Sequence, residues 1–466
     1  MSEKILCIYP AYGISGVKRF VRDLYEELGN YKIKMLGVWF DSKLEERDKE
    51  FNLLKEIGDE NGRNVDELTK QKVKNDVISS IYSFEPDIIH LNAYAIDMDI
   101  VKGLEDYKKR NPKTRIVYTV HSLAFQDFSR SPDDQRMFNM TDEFMKDVVE
   151  ISEYLHFSPI SPQEKRRKMK ELLLRYNIPT NEETLQKLDI RTYMIALQNR
   201  IFRISDAVVF VSDYLRESAY EYEGLRDIIK GKDLVINNGT KMYKAYEENR
   251  EIIKRKIDNW RKKYHFEDKF IVGYVGRITK TKGILDLILA IDELIKKGHS
   301  DIVLILSGKI DPVLEEEIYQ YFSNLIGKNL FFFNEEELPK PFSSNEDRDM
   351  AMIHASFDLE VYPSLYEPFG LVPLEAISCE TPVIVRKIDN LRKFEEDGIA
   401  EAFSTREELE LLILKYKHMK NDKDKEMDAK RKIVKEKYSM ERMRKEYKEL
   451  FDRMIGILPA PIFVTV

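Results

Sequence analysis

The sequence predicts an α/β protein with parallel sheets, and three observations support that prediction. Short apolar runs alternate with longer amphipathic or polar stretches of helical character, as in a parallel sheet covered by helices on both faces. The alternation restarts near residue 270, after a charged stretch. The chain has 466 residues, enough for two domains of ordinary size that each have their own core. We therefore expect two such sheets, one after the other along the chain.

The apolar runs of the first half are predicted to be buried strands, because they are short and are bounded by polar or turn-forming residues. The first run, residues 5–9, is followed by a glycine turn at 13–16 and by a helical pattern that extends to Leu28. The further predicted strands of this half are residues 34–40, 87–91, 115–120, 207–211 and 234–237. Ligands of parallel sheets bind at the carboxyl ends of the strands, and a glycine turn there lets the backbone approach a ligand closely.

Residues 126–192 interrupt this alternation. The segment is polar and rich in charge, and it is too long for a simple connection between two strands. Its prolines are Pro132, Pro159, Pro162 and Pro179. Because prolines break helices, we expect an insertion of several helices here. A basic cluster at residues 164–170 either meets an anionic acceptor or membrane surface, or is a solvated helix face, as most such runs are.

The second half repeats the strand pattern. Its predicted strands begin at Phe270 and continue with residues 302–307, 330–333, 359–362 and 382–385. A charged helical stretch at 243–263 precedes them, and an amphipathic helix at 438–455 follows them. These limits predict three parts of the chain, namely residues 1–245, 246–437 and 438–466.

The turn after the strand at Phe270 is the first candidate site of this half. It is rich in glycine and carries Arg277 and Lys282, five residues apart. A guanidinium and an ammonium group on one loop are a natural complement to a diphosphate, which carries several negative charges in a partly desolvated site. The alternative is that these side chains are plain surface charges.

The second candidate site follows the predicted strand at 359–362. Glu367 and Glu375 stand eight residues apart there. We expect Glu367 in a turn, and Glu375 in the first turn of a helix that begins at Pro373. Carboxylates in such places can accept hydrogen bonds from sugar hydroxyls. The alternative is that Glu375 only complements the dipole of its own helix and Glu367 is solvated.

Phosphate ligands are also expected at the start of that helix. The backbone N–H groups of Phe369, Gly370 and Leu371 are predicted to point outward at the positive end of the helix dipole. Phosphate ligands beside hydroxyl ligands indicate a nucleotide sugar.

The string SLYEPFGLVPLEA at 364–376, followed by TPVI at 381–384, closely resembles a known family pattern. It is similar to the paired-glutamate signature of retaining nucleotide-sugar glycosyltransferases, which include glycogen and starch synthases. The loop SGKIDPVLE at 307–315 resembles one of the glycogen synthases in particular. The resemblance implies two Rossmann-like domains that face a central cleft, the GT-B fold. It also implies that the first domain binds the acceptor, that the second binds the donor, and that no metal or cofactor takes part.

The resemblance also implies roles for single residues. Ser15 and Gly16 match the family's Gly-Gly-Val loop, which contacts donor phosphate and acceptor, although Ser15 replaces the first glycine. His121, in the string TVHSLA, matches a strand-end histidine that lies over the donor's sugar ring near its 6-hydroxyl.

The second half supplies the other matches. Arg277 and Lys282 match the diphosphate ligands of the family, Glu367 the ligand of the transferred sugar, and Glu375 the ligand of the ribose. The leaving phosphate, in the mechanism inferred for relatives, takes the acceptor's proton. Glu380 stands where relatives commonly have glycine, and residues 388–392 lack two usual glycines.

Composition restricts the partners and the location. The chain has 76 basic and 83 acidic side chains, a net charge of −7, which gives no reason to expect a nucleic acid. It has two cysteines, too few for a disulfide framework, and no run of eighteen apolar residues. We expect a cytoplasmic protein; membrane association is possible but nothing in the sequence supports it.

Glucose is the preferred donor sugar, carried by UDP or ADP and moved to a carbohydrate or glycolipid acceptor, because the quoted strings look most like glycogen and starch synthases. Mannosyl- and N-acetylglucosaminyltransferases of envelope polysaccharide, glycolipid or protein glycosylation share nearly all of these residues and stay open. More distant alternatives are a nucleotide-sugar epimerase and an inactive nucleotide-sugar-binding protein. Such epimerases lack the paired-glutamate string, and an inactive relative is expected to have lost one of the charged residues.

Overall fold

The chain forms two compact units. The computed structural model describes residues 3–10, 16–28, 31–38, 52–53, 67–92, 98–138, 140–333, 346–388, 390–419 and 424–459. The first unit is Met1–Asn237 with Met443–Val466, and the second is Asn238–Arg442. The assignment of acceptor and donor roles to these units stays a prediction.

The first unit is built on a parallel sheet in the order β3-β2-β1-β4-β5-β6-β7. Its strands are β1 (Lys4–Pro10), β2 (Lys32–Val38), β3 (Asn52–Leu53), β4 (Ile88–Leu91), β5 (Arg115–Val120), β6 (Ala207–Phe210) and β7 (Asp233–Val235). The six strands predicted from apolar runs are confirmed to within about two residues. The two-residue strand β3 was not predicted, because two residues give no periodic signal.

Helices cover this sheet and fill the predicted insertion. They are α1 (Gly16–Tyr25), α2 (Glu67–Phe84), α3 (Met98–Arg110), α4 (Ala124–Ser129), α5 (Pro132–Met137), α6 (Asp142–Phe157), α7 (Pro162–Arg175), α8 (Glu182–Ile204), α9 (Asp213–Tyr220) and α10 (Glu223–Ile229). Pro132 and Pro162 occupy the first positions of α5 and α7, where the missing N–H costs nothing. The prediction of several inserted helices at 126–192 is thus confirmed, although α8 continues to Ile204.

The basic cluster of the insertion is largely neutralised within it. On α7, Arg166 is paired with Glu182, and Arg167 contacts both Glu164 and Glu171 of its own helix. Lys165 lies 2.6 Å from an Asp189 carboxylate oxygen on α8. These contacts favour a solvated helix face over a binding surface for an anionic acceptor or a membrane.

The second unit contains a parallel sheet in the order β10-β9-β8-β11-β12-β13. Its strands are β8 (Phe270–Val275), β9 (Ile302–Ser307), β10 (Leu330–Phe333), β11 (Leu359–Tyr362), β12 (Val383–Arg386) and β13 (Glu401–Phe403). Five of these were predicted, three of them with the observed bounds. The edge strand β13 was not, because three residues give too short a pattern.

The helices of this unit are α11 (Met242–Glu247), α12 (Arg250–Lys263), α13 (Ile284–Lys296), α14 (Pro312–Phe322), α15 (Glu346–Ala355), α16 (Leu371–Ser378), α17 (Leu391–Glu396), α18 (Arg406–His418) and α19 (Asp424–Lys437). The predicted helical stretch at 243–263 is two helices. Within the residues that the structure describes, no helix is both long and apolar enough to cross a membrane.

The last helix, α20 (Met440–Met454), begins in the second unit and continues in the first. Within the first unit, its Tyr447 hydroxyl lies 2.9 Å from Thr119 Oγ1 of β5, and its Asp452 accepts a hydrogen bond from Tyr31 at 2.5 Å. The Arg444 guanidinium donates to the Asp23 carbonyl at 2.8 Å. The amphipathic helix predicted at 438–455 is therefore anchored by polar contacts as well as by its apolar face.

The two segments at which the chain enters and leaves the second unit lie next to each other. The Thr240 N–H donates to the Tyr438 carbonyl at 2.8 Å, and the Met440 N–H donates to the Thr240 carbonyl at 3.1 Å. Gly239 permits this approach, because a Cβ atom there would lie 2.4 Å from the Ser439 carbonyl oxygen.

Glu380 follows α16 in the left-handed conformation, with a φ of 63°. This conformation favours glycine, and here the hydrogen bonds of the side chain compensate for the backbone. Its carboxylate accepts hydrogen bonds from Tyr246 at 3.1 Å, from Arg250 at 2.7 Å and from Arg431 at 3.0 Å. One residue thereby joins the end of α16 to α11, α12 and α19.

We predict that Glu380→Ala lowers the thermal stability more than Glu380→Gly does. Both variants lose the three side-chain contacts, but only glycine relieves the left-handed backbone, a difference of about 1 kcal/mol. Thermal unfolding, monitored by circular dichroism, gives the melting temperatures of the variants. Glu380→Gln, which keeps the shape without the charge, is the matched control; equal melting of the alanine and glycine variants would contradict the backbone argument.

Candidate functional site

The loops that follow β8 and β11 bring together most of the predicted site residues of the second unit. The two strands are neighbours in a parallel sheet, so their carboxyl ends lie at the same edge. Lys282, in the first loop, donates to Glu367 Oε2, in the second, at 2.7 Å. The Leu365 N–H donates to the Thr281 carbonyl at 2.9 Å, so the loops are joined by backbone as well.

Gly283 makes this close packing possible. It has a φ of 64°, and a Cβ atom there would lie 2.0 Å from the Pro363 carbonyl oxygen. The same carbonyl accepts a hydrogen bond from Arg386 Nε at 2.9 Å, and the guanidinium of Arg386 also pairs with Asp286 of α13. The loops therefore form one rigid element at the sheet edge.

The Lys282–Glu367 pair is only partly shielded from solvent. The side chains are 20% and 22% exposed, so both groups can be reached by a ligand. An ammonium group has three donors, and one of them is directed at Glu367, which leaves others for phosphate oxygens. The pair thus offers a cation and an acceptor at one place.

Arg277 lies at the same edge, and Tyr274 connects it with this pair. The Tyr274 hydroxyl donates to the Arg277 carbonyl at 2.8 Å, while the Arg277 side chain is exposed. Burial raises the pKa of Tyr274, the charge of Glu367 raises it further, and the charge of Arg277 opposes them. Both charged groups are therefore close to one buried phenol.

The helix that carries the second glutamate differs from the sequence prediction. It begins at Leu371, directly after Gly370, which has a φ of 94°, so Pro373 is the third helical residue. The prediction that Glu375 lies in the first helical turn is wrong, because it is the fifth residue of α16. Its side chain is 2% exposed and lies 3.7 Å from the Nε2 atom of His354.

The loop before α16 is also held by Asn390, which belongs to residues 388–392. The Asn390 side chain donates to the Phe369 carbonyl at 2.5 Å. Phe369 is buried and packs edge to face against Phe394, with 6.2 Å between ring centroids. Asn390 therefore stabilises the loop, although sequence reasoning gave it no role.

His121 belongs to the first unit, at the end of β5. Its Nε2 atom lies 3.2 Å from Asn92 Oδ1, and because an amide oxygen only accepts, Nε2 carries the proton. Burial lowers the pKa of His121 to about 3, so the ring is neutral near pH 7 and Nδ1 is an acceptor.

The long helix α8 of the insertion holds the loop that follows His121. Gln198 accepts from the Ala124 N–H at 2.8 Å and donates to the Ser122 carbonyl at 3.0 Å and to the Tyr118 hydroxyl at 2.9 Å. Sequence reasoning missed both Asn92 and Gln198. A polar residue in an otherwise buried helix face was the available signal for Gln198.

The remaining predicted residues lie in the glycine turn of the first unit. Gly16 is the first residue of α1, and Ser15 lies outside the residues that the structure describes. His121 and Gly16 thus belong to the first unit, and the predicted site residues from Arg277 to Glu375 belong to the second. Their roles toward a donor stay predictions.

Comparison with known proteins finds similarity that includes much of the second unit. Residues 256–436 match the family model described as glycosyl transferases group 1. An uncharacterized glycosyltransferase of Methanocaldococcus jannaschii is 32% identical over 151 residues, which span 30% of this chain but only 36% of that protein. A glycogen synthase of Bacillus anthracis is 24% identical over 389 residues, which span 80% of this chain and 74% of that protein.

A solved structure shares the fold over nearly the whole chain. HepE of Anabaena, in complex with UDP-glucose, has a TM-score of 0.59 and 15% identity over 96% of this chain and 98% of that chain. At this identity the likeness establishes the fold alone, and it confirms the predicted GT-B fold with two Rossmann-like domains. Residues 256–436, which lie within the second unit, are therefore similar to the group 1 glycosyl transferases.

Proposed function

We propose that the protein transfers a sugar, with glucose as the first candidate, from a nucleoside-diphosphate sugar to a carbohydrate acceptor with retention of the anomeric configuration. The contact between Lys282 and Glu367 carries this proposal, because it sets a cation for a leaving diphosphate beside a carboxylate for sugar hydroxyls. The likeness to a glycogen synthase and to a protein solved with UDP-glucose supports glucose as the sugar.

The chemical step needs a stabilised leaving group. When the bond between the anomeric carbon and the diphosphate breaks, negative charge grows on the diphosphate oxygens. Arg277, Lys282 and the first N–H groups of α16 meet that charge from fixed positions, which lowers the barrier electrostatically. The leaving phosphate takes the acceptor's proton, and no protein base and no metal are required.

The other residues orient the donor. Glu367 accepts hydrogen bonds from hydroxyls of the transferred sugar, and Glu375 accepts them from the ribose. The neutral ring of His121 accepts a hydrogen bond at Nδ1 from the sugar's 6-hydroxyl. Asn92 fixes the ring of His121, and Gln198 fixes the loop after it.

The direct test is a screen of UDP-glucose, ADP-glucose, GDP-mannose and UDP-N-acetylglucosamine by thermal shift, followed by product analysis with glucan and lipid acceptors. We expect one glucose donor to raise the melting temperature and to yield an α-linked product. Stabilisation by none of the nucleotide sugars would contradict the proposal, and transfer from a mannose donor would overturn the choice of glucose.

We predict that Arg277→Ala and Lys282→Ala each lower turnover at saturating donor about a hundredfold, because loss of one contact to the growing charge costs roughly 3 kcal/mol. Steady-state kinetics measures the effect. Lys280→Ala is the matched control, since Lys280 lies in the same turn but pairs with Glu317 of α14 at 2.7 Å. If the three variants turn over alike, the diphosphate assignment is wrong.

We predict that the two glutamates separate in binding experiments. Glu375→Gln should weaken the binding of free UDP or ADP about ten- to a hundredfold, since a hydrogen bond to a charged group contributes about 1.5–3 kcal/mol. Glu367→Gln should leave this affinity unchanged or increase it, because Lys282 is then released for phosphate, and should reduce turnover instead. Calorimetry measures the affinities and circular dichroism melting controls for folding. If both variants bind free UDP or ADP with the affinity of the parent, Glu375 does not bind the ribose.

A further inference from the structure

A cluster of ionisable groups lies in the interior of the second unit, behind α16. His354 of α15 and Glu360 of β11 are fully buried, and Glu375 is 1% exposed. His354 Nδ1 lies 2.8 Å from Glu360 Oε1, and its Nε2 atom lies 3.7 Å from Glu375 Oε2. The Tyr362 hydroxyl donates to the other oxygen of Glu360. One imidazole therefore stands between two carboxylates that are removed from water.

Burial of these ionisable groups costs free energy, so the cluster depends on the contacts between its members. A buried carboxylate is strongly destabilised unless a cation or hydrogen-bond donors compensate it. Burial by itself lowers the pKa of His354, but the charge and hydrogen bond of Glu360, together with Glu375, outweigh it and raise the pKa to about 9. His354 is therefore an imidazolium near pH 7, so both ring nitrogens carry protons: Nδ1 donates to Glu360, and Nε2 faces Glu375 at 3.7 Å.

The orientation of the ring is fixed from two sides. Glu360 binds Nδ1, and the hydroxyl of Thr381 donates to the His354 backbone carbonyl at 2.7 Å. The second N–H is thereby directed at Glu375. Glu360 itself is held by Tyr362, so Glu360 cannot turn away from the ring without breaking a buried hydrogen bond.

Besides Glu360 and Glu375, the titratable groups near the ring include a thiol and two phenols. The pKa of the Cys379 thiol, at the end of α16, is raised by burial and by the two carboxylates. The pKa of Tyr362 is raised for the same reasons, and burial also raises that of Tyr274, which packs on Tyr362. These groups stay neutral, so His354 is the group that titrates between pH 7 and 10.

We propose that His354 is a positioning residue for the nucleotide site: held by Glu360, it fixes the place of the Glu375 side chain, so that the nucleoside part of the donor is bound. The proposal rests on the ribose role of Glu375 given under the proposed function. His354 does not touch the donor in this account and acts only through Glu375.

The first experiment compares the parent with His354→Gln by calorimetry with free UDP, free ADP and free GDP from pH 7 to pH 10. His354→Gln removes the charge and keeps a polar side chain. We expect the parent to bind with constant affinity up to about pH 8 and more weakly above pH 9, because the folded-state pKa of His354 is raised and its charge is lost as pH rises. The variant should bind about tenfold more weakly at pH 7, with no such fall. Titration of the nucleotide itself cancels in the ratio of the two affinities.

The second experiment separates positioning from stability. The triple variant His354→Leu/Glu360→Leu/Tyr362→Phe replaces every member of the cluster except Glu375 with an apolar side chain. Because Glu375 then lacks the cation beside it, we expect a lower melting temperature than in the parent. Binding is measured at a temperature where circular dichroism shows the variant to be folded, and we expect it to be weakened at least as much as in His354→Gln. Ser378→Ala is the matched control, because Ser378 is fully buried on the same helix and its hydroxyl donates to the Leu374 carbonyl at 2.7 Å.

The results of these experiments distinguish the positioning role of His354 from the proposed function on which it rests. A parent that binds none of UDP, ADP and GDP overturns the proposed function. A parent that binds, together with a His354→Gln variant of equal affinity and equal pH profile, overturns the positioning role alone. Parental affinity in the folded triple variant would overturn it as well.

Discussion

The second unit depends on the close approach of two loops at one edge of its sheet. The Pro363 carbonyl occupies the space that a side chain of residue 283 would need, and Arg386 holds that carbonyl from the opposite side. With the loops in this contact, Lys282 and Glu367 meet at hydrogen-bond distance although 85 residues separate them in the sequence. A displacement of either loop would separate the cation from the carboxylate, so the chemistry of the site follows from a steric condition on one glycine.

Sequence reasoning located the strands and the charged residues at their ends, because both leave local signals. An apolar run such as residues 302–307 is visible in the sequence, and so is a glycine turn with two cations. The start of α16 was misplaced because Pro373 is compatible with any position in the first turn, where backbone N–H groups need no partner within the helix. Gly370 in the left-handed conformation, rather than the proline, marks the start.

The residues that sequence reasoning missed act through tertiary contacts. His354 and Glu360 lie six residues apart on different elements, and no periodicity distinguishes them from surface charges. Gln198 reaches the His121 loop across a sequence separation of more than seventy residues. Glu380 was noted only as a departure from glycine, whereas its three partners come from helices that the sequence does not place together.

The pairing of Thr240 with the chain at Tyr438 and Met440 brings the two ends of the second unit together. The second unit is a continuous segment whose two ends meet, inserted between the main part of the first unit and its last helix. A segment with adjacent ends can be replaced by a homologous one without stretching the sheet on either side. The junctions at 237–238 and 442–443 are therefore the natural places at which to exchange this unit for a homologous one.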